Sequence, residues 1–277
     1  MMIYKELPRF YNGSYVFIFL MRVALQFAYD GQGFHGFARQ PGLRTIEGEL
    51  ISNLISEGFI EDVRTSQFRS SSRTDKGVSA LCNVVAFNTT ISKQKIVSIR
   101  TCSTNDIIIY GYALVDDSFY PRYATLRMYR YFLPRKVIDE DILLKTLGLF
   151  TGEHDFTNFA RIETGKNPVR LIENIIIGSD EECFMIDFYA QNFLWNQIRR
   201  IISSILQISK NKISHQDIIN ALNNPSIQVD FGVAPPEPLV LKDIVFKDVK
   251  FHRFLEQKRS LSDLEKRIRD QSIDLFS

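Results

Sequence analysis

The chain has 277 residues, of which 45% are hydrophobic and 24% are charged. This composition excludes a disordered, collagen-like or low-complexity chain, and the length suffices for one large domain or two small ones. The net charge of +2 indicates no class of partner, so only the distribution of charge is informative. The three cysteines, Cys82, Cys102 and Cys183, form neither a disulfide framework nor a zinc motif, which favours a reducing cytoplasm.

The first twenty residues differ from the pattern that follows them. Residues 15–21 read YVFIFLM and follow Lys5 and Arg9, which faintly resembles a secretory leader, but the apolar run is short and no cleavage motif follows. The run is also far below the ~20 residues of a membrane span. Because Met21 directly precedes a regular strand pattern, we interpret residues 1–20 as an extension outside the fold, consistent with an upstream start codon. An exported protein is the alternative.

The first half of the chain mixes strand and helix patterns. From Arg22 the side chains alternate between two faces, with Val23, Leu25, Phe27 and Tyr29 on one face and Ala24, Gln26 and Ala28 on the other. This alternation is typical of a half-buried strand. Thr45 is a suitable N-cap for a helix that Gly58 ends. The patterns predict strands at 22–29, 81–87 and 107–115, a helix at 46–57 and a short helical segment at 96–99.

The second half repeats this style. Ser214 with Asp217 three residues later is typical of a capping box. The patterns predict strands at 126–133, 171–177, 183–190 and 239–246, helices at 139–150, 193–208 and from 215, and a helical tail from Ser260. Strands and helices do not alternate strictly in either half, which favours an α+β fold with antiparallel sheets. We place the two halves at 21–116 and 117–250, and the helical tail at 251–277.

Basic and aromatic residues cluster in two stretches that contain no acidic residue, 119–138 and 188–213. Cationic side chains neutralise phosphates and aromatic rings stack on unpaired bases, so both stretches fit a nucleic-acid surface. In the strand predicted at 126–133, alternation places Arg127, Tyr129 and Tyr131 on one face, which suits a polar cleft. The alternative, that these are solvated faces with aromatic residues in the core, remains equally open.

The stretch SSSRTDKGVSA at 70–80 is the densest cluster of polar residues. Arg73 and Lys76 would keep the carboxylate of Asp75 ionised, which suits a nucleophile or an electrostatic stabiliser and not a general acid. Taken alone, the stretch is better explained as a surface loop with a salt bridge. The sequence contains no phosphate-binding loop, dinucleotide fingerprint, hydrolase elbow or metal-ligand pair, so nothing indicates ATP, a nicotinamide or a metal.

Segments spread over residues 22–246 resemble, in order, those of the tRNA pseudouridine synthase A family. The segments are YDGQGFHGFARQP (29–41), TIEGEL (45–50), RTDKGVSA (73–80), FYPRYATLRMYRYFL (119–133), GEHDFTNFAR (152–161), FYAQNFLWNQIRRI (188–201) and APPEPLVL (234–241). Ser72, Lys76 and Ser79 depart from the bacterial form of the third segment, which here resembles archaeal and eukaryotic members.

The resemblance implies an isomerisation that detaches uracil from its ribose in RNA, rotates it and rejoins it through C5, without a cofactor. Asp75 would be the nucleophile, attacking either the ribose near C1′ or the base. Tyr129 would stack on the target base, and Arg73 and Arg199 would flank the aspartate and hold the flipped nucleotide. We predict that four arginines of the two basic stretches bind the substrate together with Tyr129. They are Arg122, Arg127, Arg130 and Arg200.

The resemblance also implies two halves that each resemble an RNA-recognition fold, with their sheets joined into one central sheet beside a cleft. It implies a cytoplasmic homodimer that binds tRNA, with no membrane and no small-molecule cofactor. The modified uridines would lie in the anticodon stem-loop, at tRNA nucleotides 38–40. A non-catalytic RNA-binding protein is the alternative, but such a protein would need the arginines and not Asp75. A plain scaffold protein would leave the basic stretches unexplained.

Overall fold

The computed structural model describes residues 5–11 and 14–276, and the chain forms two compact units. The first unit comprises the chain up to Ala124 together with Ile244–Glu265, and the second comprises Thr125–Asp243 and the chain from Lys266 onward. The division at Ala124 follows shortly after the boundary predicted at 116. The tail predicted at 251–277 contributes its first part to one unit and its last part to the other.

The elements of the described chain follow one another irregularly. In chain order they are β1 Lys5–Tyr11, β2 Ser14–Tyr29, α1 Ile46–Ser56, β3 Arg69–Ser70, β4 Ser79–Thr89, β5 Ile107–Val115, β6 Leu126–Pro134, α2 Glu140–Gly148, β7 Gly152–Asp155, β8 Val169–Ile172, β9 Asn174–Ser179, β10 Cys183–Ala190, α3 Gln197–Ser209, α4 His215–Asn223, β11 Leu239–Val245, β12 His252–Arg253 and α5 Lys258–Leu275. A 3-10 helix spans Ile96–Cys102. The predicted α+β class is confirmed.

An antiparallel sheet with the strand order β12-β5-β2-β4 forms the first unit. The strand β2 lies between β4 and β5, so that Val23 faces Phe87 on one side and Leu114 on the other. Thr45 caps α1 by accepting a hydrogen bond from the Gly48 amide, as predicted. Buried side chains of α1, including Leu50 and Leu54, contribute to the core.

The strand β2 begins at Ser14, so the start predicted at residue 22 was wrong. Residues 15–21 are almost all apolar and do not alternate, which removes the period-2 pattern on which the prediction depended. The added part of β2 pairs with β1, with Leu20 opposite Lys5. Residues 1–4, 12 and 13 of the predicted extension lie outside the described residues.

The second unit contains a sheet in which β11, β6, β10 and β9 follow one another, and a separate pair of β7 with β8. In this sheet Tyr129 lies opposite Phe188, and Tyr131 lies opposite Ile186. The capping box predicted at Ser214 and Asp217 is present at the start of α4. Among the described residues, no helix has both the length and the apolar character that crossing a bilayer requires.

Two further elements differ from their predicted extent for reasons that the structure shows. The strand predicted at 171–177 is divided at Glu173, whose amide donates to the carbonyl of Tyr189 over 2.8 Å. The helix α3 begins at Gln197 instead of residue 193, because Asn196 adopts the left-handed conformation with φ = 61° and leaves residues 193–196 in a turn. This turn carries Phe193 and Trp195, and Arg199 and Arg200 follow in the first turn of α3.

Candidate active site

Asp75 lies on a tight turn that leads into β4. The amide of Val78 donates to the carbonyl of Asp75 over 3.2 Å, and Gly77 has φ = 84°, a conformation that glycine adopts without strain. The side chain of Asp75 is half-buried, whereas its neighbours Arg73 and Lys76 are exposed. The carboxylate is thus placed near the surface with a cation on either side in the sequence.

A cluster of buried, hydrogen-bonded polar groups lies beside this turn. The hydroxyl groups of Tyr29 and Thr74 are hydrogen-bonded at 2.8 Å, and the side-chain amide of Asn83 donates to the carbonyl of Ser72 over 3.1 Å. Tyr29 and Asn83 have no exposed surface. Because each buried polar group is expensive to leave without a partner, these bonds fix the backbone around Asp75 strongly.

The glycine-rich loop after β2 packs directly against the Asp75 turn. The amide of Gly31 donates to Ser79 Oγ over 2.9 Å, and the amide of Phe37 donates to the carbonyl of Thr74 over 3.0 Å. A Cβ atom at Gly31 would lie 2.3 Å from the carbonyl oxygen of Val78, and one at Gly36 would lie 3.2 Å from the amide nitrogen of Lys76. The two backbones therefore approach more closely than any side chain at Gly31 would allow.

This contact explains two features that sequence reasoning did not interpret. The segment YDGQGFHG supplies the glycines that lie against the Asp75 turn, and Ser79, which departs from the bacterial pattern, binds the loop that carries them. Arg44 fixes the far end of the same loop through Glu49 and Asp106, each at 2.8 Å, and its guanidinium lies 4.1 Å from the ring centre of Phe34. Nothing in the local sequence pattern singles out Arg44.

Tyr129 occupies the middle of β6 in the second unit. Its ring meets the ring of Phe193 edge to face, with 5.3 Å between the ring centres and an angle of 86° between the planes. Tyr129 is half-buried, whereas Tyr131 on the same strand face has no exposed surface and donates its hydroxyl to the carbonyl of Pro235. Burial raises the pKa of Tyr131 above its usual range, so that this hydroxyl stays protonated.

Arg199 lies in the first turn of α3 and is held by the segment APPEPLVL. Its Nε donates to the carbonyl of Ala234 over 2.8 Å, and the Ala234 amide donates back to the Arg199 carbonyl over 3.1 Å. A further guanidinium nitrogen of Arg199 donates to Asn196 Oδ1 over 3.1 Å. Arg199 and Arg200 stand where acidic residues usually complement the helix dipole, and no acid is present in this turn. The start of α3 therefore concentrates positive charge.

The other basic residues of the predicted surface have different surroundings. Arg130 forms a two-pronged ion pair with Asp187, with both bonds at 2.7 Å, and Lys242 contacts the same carboxylate at 2.9 Å. Arg127 is buried and donates to the carbonyl of Gln191. Arg200 pairs with Asp230 at 2.9 Å, and Arg122 is exposed in the turn that precedes β6. The assignment of all four to substrate binding stays a prediction.

The four candidate catalytic residues are divided between the two units. Arg73 and Asp75 lie in the first unit, and Tyr129 and Arg199 lie in the second. The three cysteines are buried and form no disulfide with one another. Burial raises the pKa of Cys102 to about 12 and that of Cys183 to about 11, so these two thiols are poor nucleophiles at neutral pH. Among the described residues, no group of His, Cys, Asp or Glu side chains is arranged to hold a metal ion.

Comparison with known proteins identifies the class of protein to which the chain is similar. A family model described as tRNA pseudouridine synthase matches residues 147–247. The tRNA pseudouridine synthase A of Thermococcus sibiricus is 42% identical over 232 residues, which cover 83% of this chain and 87% of that protein. The protein of the same name from Thermococcus onnurineus is 38% identical over 259 residues, or 92% of each chain. That from Methanobrevibacter smithii is 34% identical over 250 residues, covering 84% of this chain and 86% of that protein.

The chain belongs to the tRNA pseudouridine synthase A family. The resemblance found in the sequence, including its likeness to archaeal members, is thereby confirmed. The family consists of isomerases that modify RNA, and the α+β fold described above is the pseudouridine synthase fold.

Proposed function

We propose that this protein isomerises uridine to pseudouridine in tRNA, with Asp75 as the nucleophile. The observation that carries this proposal is the support of the Asp75 turn, in which the Phe37 amide, the Val78 amide and the buried pair of Tyr29 and Thr74 all fix the backbone. A carboxylate that formed only a surface ion pair would not need such support. A catalytic group does, because a displacement of about 1 Å can cost two orders of magnitude in rate.

The reaction itself needs only groups that move protons and form a temporary bond. The bond between C1′ and N1 breaks, a bond between C1′ and C5 forms, the C5 hydrogen leaves as a proton and N1 gains one. No electrons are gained or lost, so no redox cofactor enters the balance. Asp75 forms the temporary bond either at the ribose or at the base, since both sites present an electrophilic carbon to a carboxylate.

Tyr129 is the residue that we propose for the target base. The edge-to-face contact with Phe193 orients the ring, and the half-buried position leaves part of it accessible to a flipped uracil. Extruding a base from its stack costs a few kcal/mol, and stacking on an aromatic ring returns ~1–3 kcal/mol per base. The hydroxyl of Tyr129 would assist proton transfer at the rearranged base.

The arginines divide into two proposed roles. Arg73 and Arg199 would hold the phosphate and ribose of the flipped nucleotide, helped by the positive end of α3. Arg122 and Arg200 would contact more distant phosphates. The contacts of Arg130 with Asp187 and of Arg127 with a carbonyl favour a supporting role in which these two position β6 below Tyr129.

The finer features of the proposal come from the family. The substrate uridines would lie in the anticodon stem-loop, where unpaired bases can stack on aromatic side chains. The protein would act as a homodimer that shares one tRNA. Three buried cysteines that form no disulfide with one another fit a reducing compartment, which supports a cytoplasmic location.

The test is to incubate tRNA transcripts with the pure protein and to map pseudouridine at nucleotide resolution. We expect product in the anticodon stem-loop, and we expect Asp75→Asn to abolish turnover while tRNA affinity stays within about tenfold. The matched control is Asp248→Asn, the same change in an exposed turn of the same unit. Asp248 has φ = 62°, a conformation that asparagine also adopts readily, so this variant should react normally.

The outcomes separate the parts of the proposal. An Asp75→Asn variant that forms product near the normal rate would overturn the role of Asp75. Product confined to another region of tRNA would overturn only the stem-loop assignment. A protein that binds every transcript tested and modifies none would be a non-catalytic RNA-binding protein.

A further inference from the structure

We propose that Trp195 and Arg161 form a second base-binding platform, which stacks an unpaired tRNA base beside the target uridine. This inference rests on the proposed function, because it assumes that tRNA is the substrate. It assigns a ligand to an exposed pair of side chains that the site described above does not use. Both residues lie in the second unit.

The pair is held together by the backbone as well as by its side chains. The guanidinium carbon of Arg161 lies 4.2 Å from the centre of the indole ring. The Arg161 amide donates to the carbonyl of Trp195 over 2.8 Å, in an isolated antiparallel bridge. Trp195 nevertheless remains 44% exposed. A large apolar ring that is fixed in place and left open to solvent is typical of a binding surface.

Arg161 differs from the other arginines of this unit. Arg130, Arg200 and Arg269 each pair with a carboxylate, whereas the guanidinium of Arg161 makes no hydrogen bond or ion pair within the described chain and lies over the indole. Its N–H donors remain available to a phosphate or to a base edge. A guanidinium stacked on an indole extends a flat surface on which a base can continue the stack.

The position of Trp195 connects the platform with the proposed base site. Trp195 follows two residues after Phe193, whose ring contacts Tyr129. The intervening turn is closed by a bond of 2.8 Å from the Leu194 amide to Gln197 Oε1. A short, closed turn therefore carries both contacts, so a nucleotide adjacent to the target uridine would reach the platform.

Charge favours RNA over a second copy of the chain as the occupant. Residues 188–213 contain no acidic side chain and include Arg199, which lies close to Trp195 in sequence, whereas the neighbouring Arg200 pairs with Asp230. A surface of this charge, with a cation already stacked on the exposed ring, attracts a polyanion and repels an identical surface.

The chain contains one tryptophan, which makes its fluorescence a direct reporter. We would titrate the Asp75→Asn protein, for which we expect no turnover, with an anticodon stem-loop RNA. We expect saturable quenching of Trp195, because a base stacked on the indole quenches its emission. In filter binding, Trp195→Ala should lower affinity about 5- to 150-fold, the range that stacking one base implies, and Trp195→Phe should retain most of it.

A second arm connects the effect with one base. Two RNAs are made, each lacking the base of one of the nucleotides beside the target uridine. One of the two should bind the parent protein more weakly than the intact RNA does, by the same factor by which Trp195→Ala weakens binding. The same abasic RNA should bind Trp195→Ala no worse than the intact RNA does. Leu144→Ala removes a side chain that is 50% exposed elsewhere in the unit and serves as the matched control, with affinity expected to be unchanged. Melting temperatures show whether each variant is folded.

If the RNA binds without quenching Trp195, and Trp195→Ala binds RNA with normal affinity, the platform is overturned. The proposed function is left intact by that result. Emission that depends on protein concentration and not on RNA would identify a protein interface and would also overturn it. If the parent protein neither binds nor modifies any tRNA, the platform and the proposed function fail together.

Discussion

Replacing Gly31 with alanine tests whether the loop after β2 fixes the catalytic turn. The new Cβ would lie 2.3 Å from the carbonyl oxygen of Val78 and 2.5 Å from its carbonyl carbon, whereas ordinary contact begins near 3.4 Å. Both clashing atoms belong to the backbone, so one of the two backbone segments must move by about 1 Å. Because Asp75 is hydrogen-bonded to Val78 through the same turn, its carboxylate moves as well.

A misplacement of this size costs a catalytic group about 100-fold in rate. We therefore expect Gly31→Ala to lower the single-turnover rate of pseudouridine formation about 100-fold. Arg199 and Arg200, which we propose as phosphate contacts, lie in the second unit, so tRNA affinity should change by less than about tenfold. Overpacking costs ~1–3 kcal/mol, which a modest fall in melting temperature would reveal.

The control for this experiment is Gly148→Ala. No atom outside its own helix lies within 4 Å of the Cβ that this change adds at the end of α2. The control should react normally and should be at least as stable as the parent protein. A Gly31→Ala variant that is folded and reacts at the normal rate would refute the argument that backbone contact positions Asp75.

Three further outcomes are expected. Tyr129→Phe should lower the single-turnover rate much more than it weakens tRNA binding, and Tyr129→Ala should weaken binding as well. A Phe variant with a normal rate would limit Tyr129 to stacking. The logarithm of the tRNA binding constant should fall with the logarithm of salt concentration with a slope of about −3 to −4, and a flat dependence would remove the argument for a basic surface. A chain that starts at Met21 should fold and react normally, since the pairing of β2 with β4 begins at Met21 and its pairing with β5 begins at Arg22. Insoluble or inactive protein would show that the preceding residues are structural.

Local sequence patterns correctly predicted the helices and strands that depend on residues close together in the chain. Thr45 and the capping box at Ser214 set helix starts correctly, because a cap depends on residues within one turn. The strand-like run at 107–115 gave the bounds of β5, and the pattern at 183–190 gave those of β10. The very short strands β3 and β12 could not be predicted, since two residues cannot show a period and their pairing depends on distant partners.

The candidate site shows the same limit. Family-like segments predicted Asp75, Tyr129 and Arg199 as residues, but not the groups that hold them. That Arg130 would pair with Asp187 depends on the register of β6 against β10, which spacing along the chain does not reveal. The basic stretch therefore contains a structural ion pair that composition alone could not distinguish from a phosphate contact.

The sequence by itself determined the fold class, the family and the residues that carry the proposed chemistry, because these depend on periodicity, caps and ordered segments. Only the tertiary structure decided why the glycine-rich segment 29–36 matters. Gly31 and Gly36 lie against the Asp75 turn, although about forty residues separate them in the chain. Such an approach is set by the packing of one loop on another, and the requirement for no Cβ arises only when the two backbones meet.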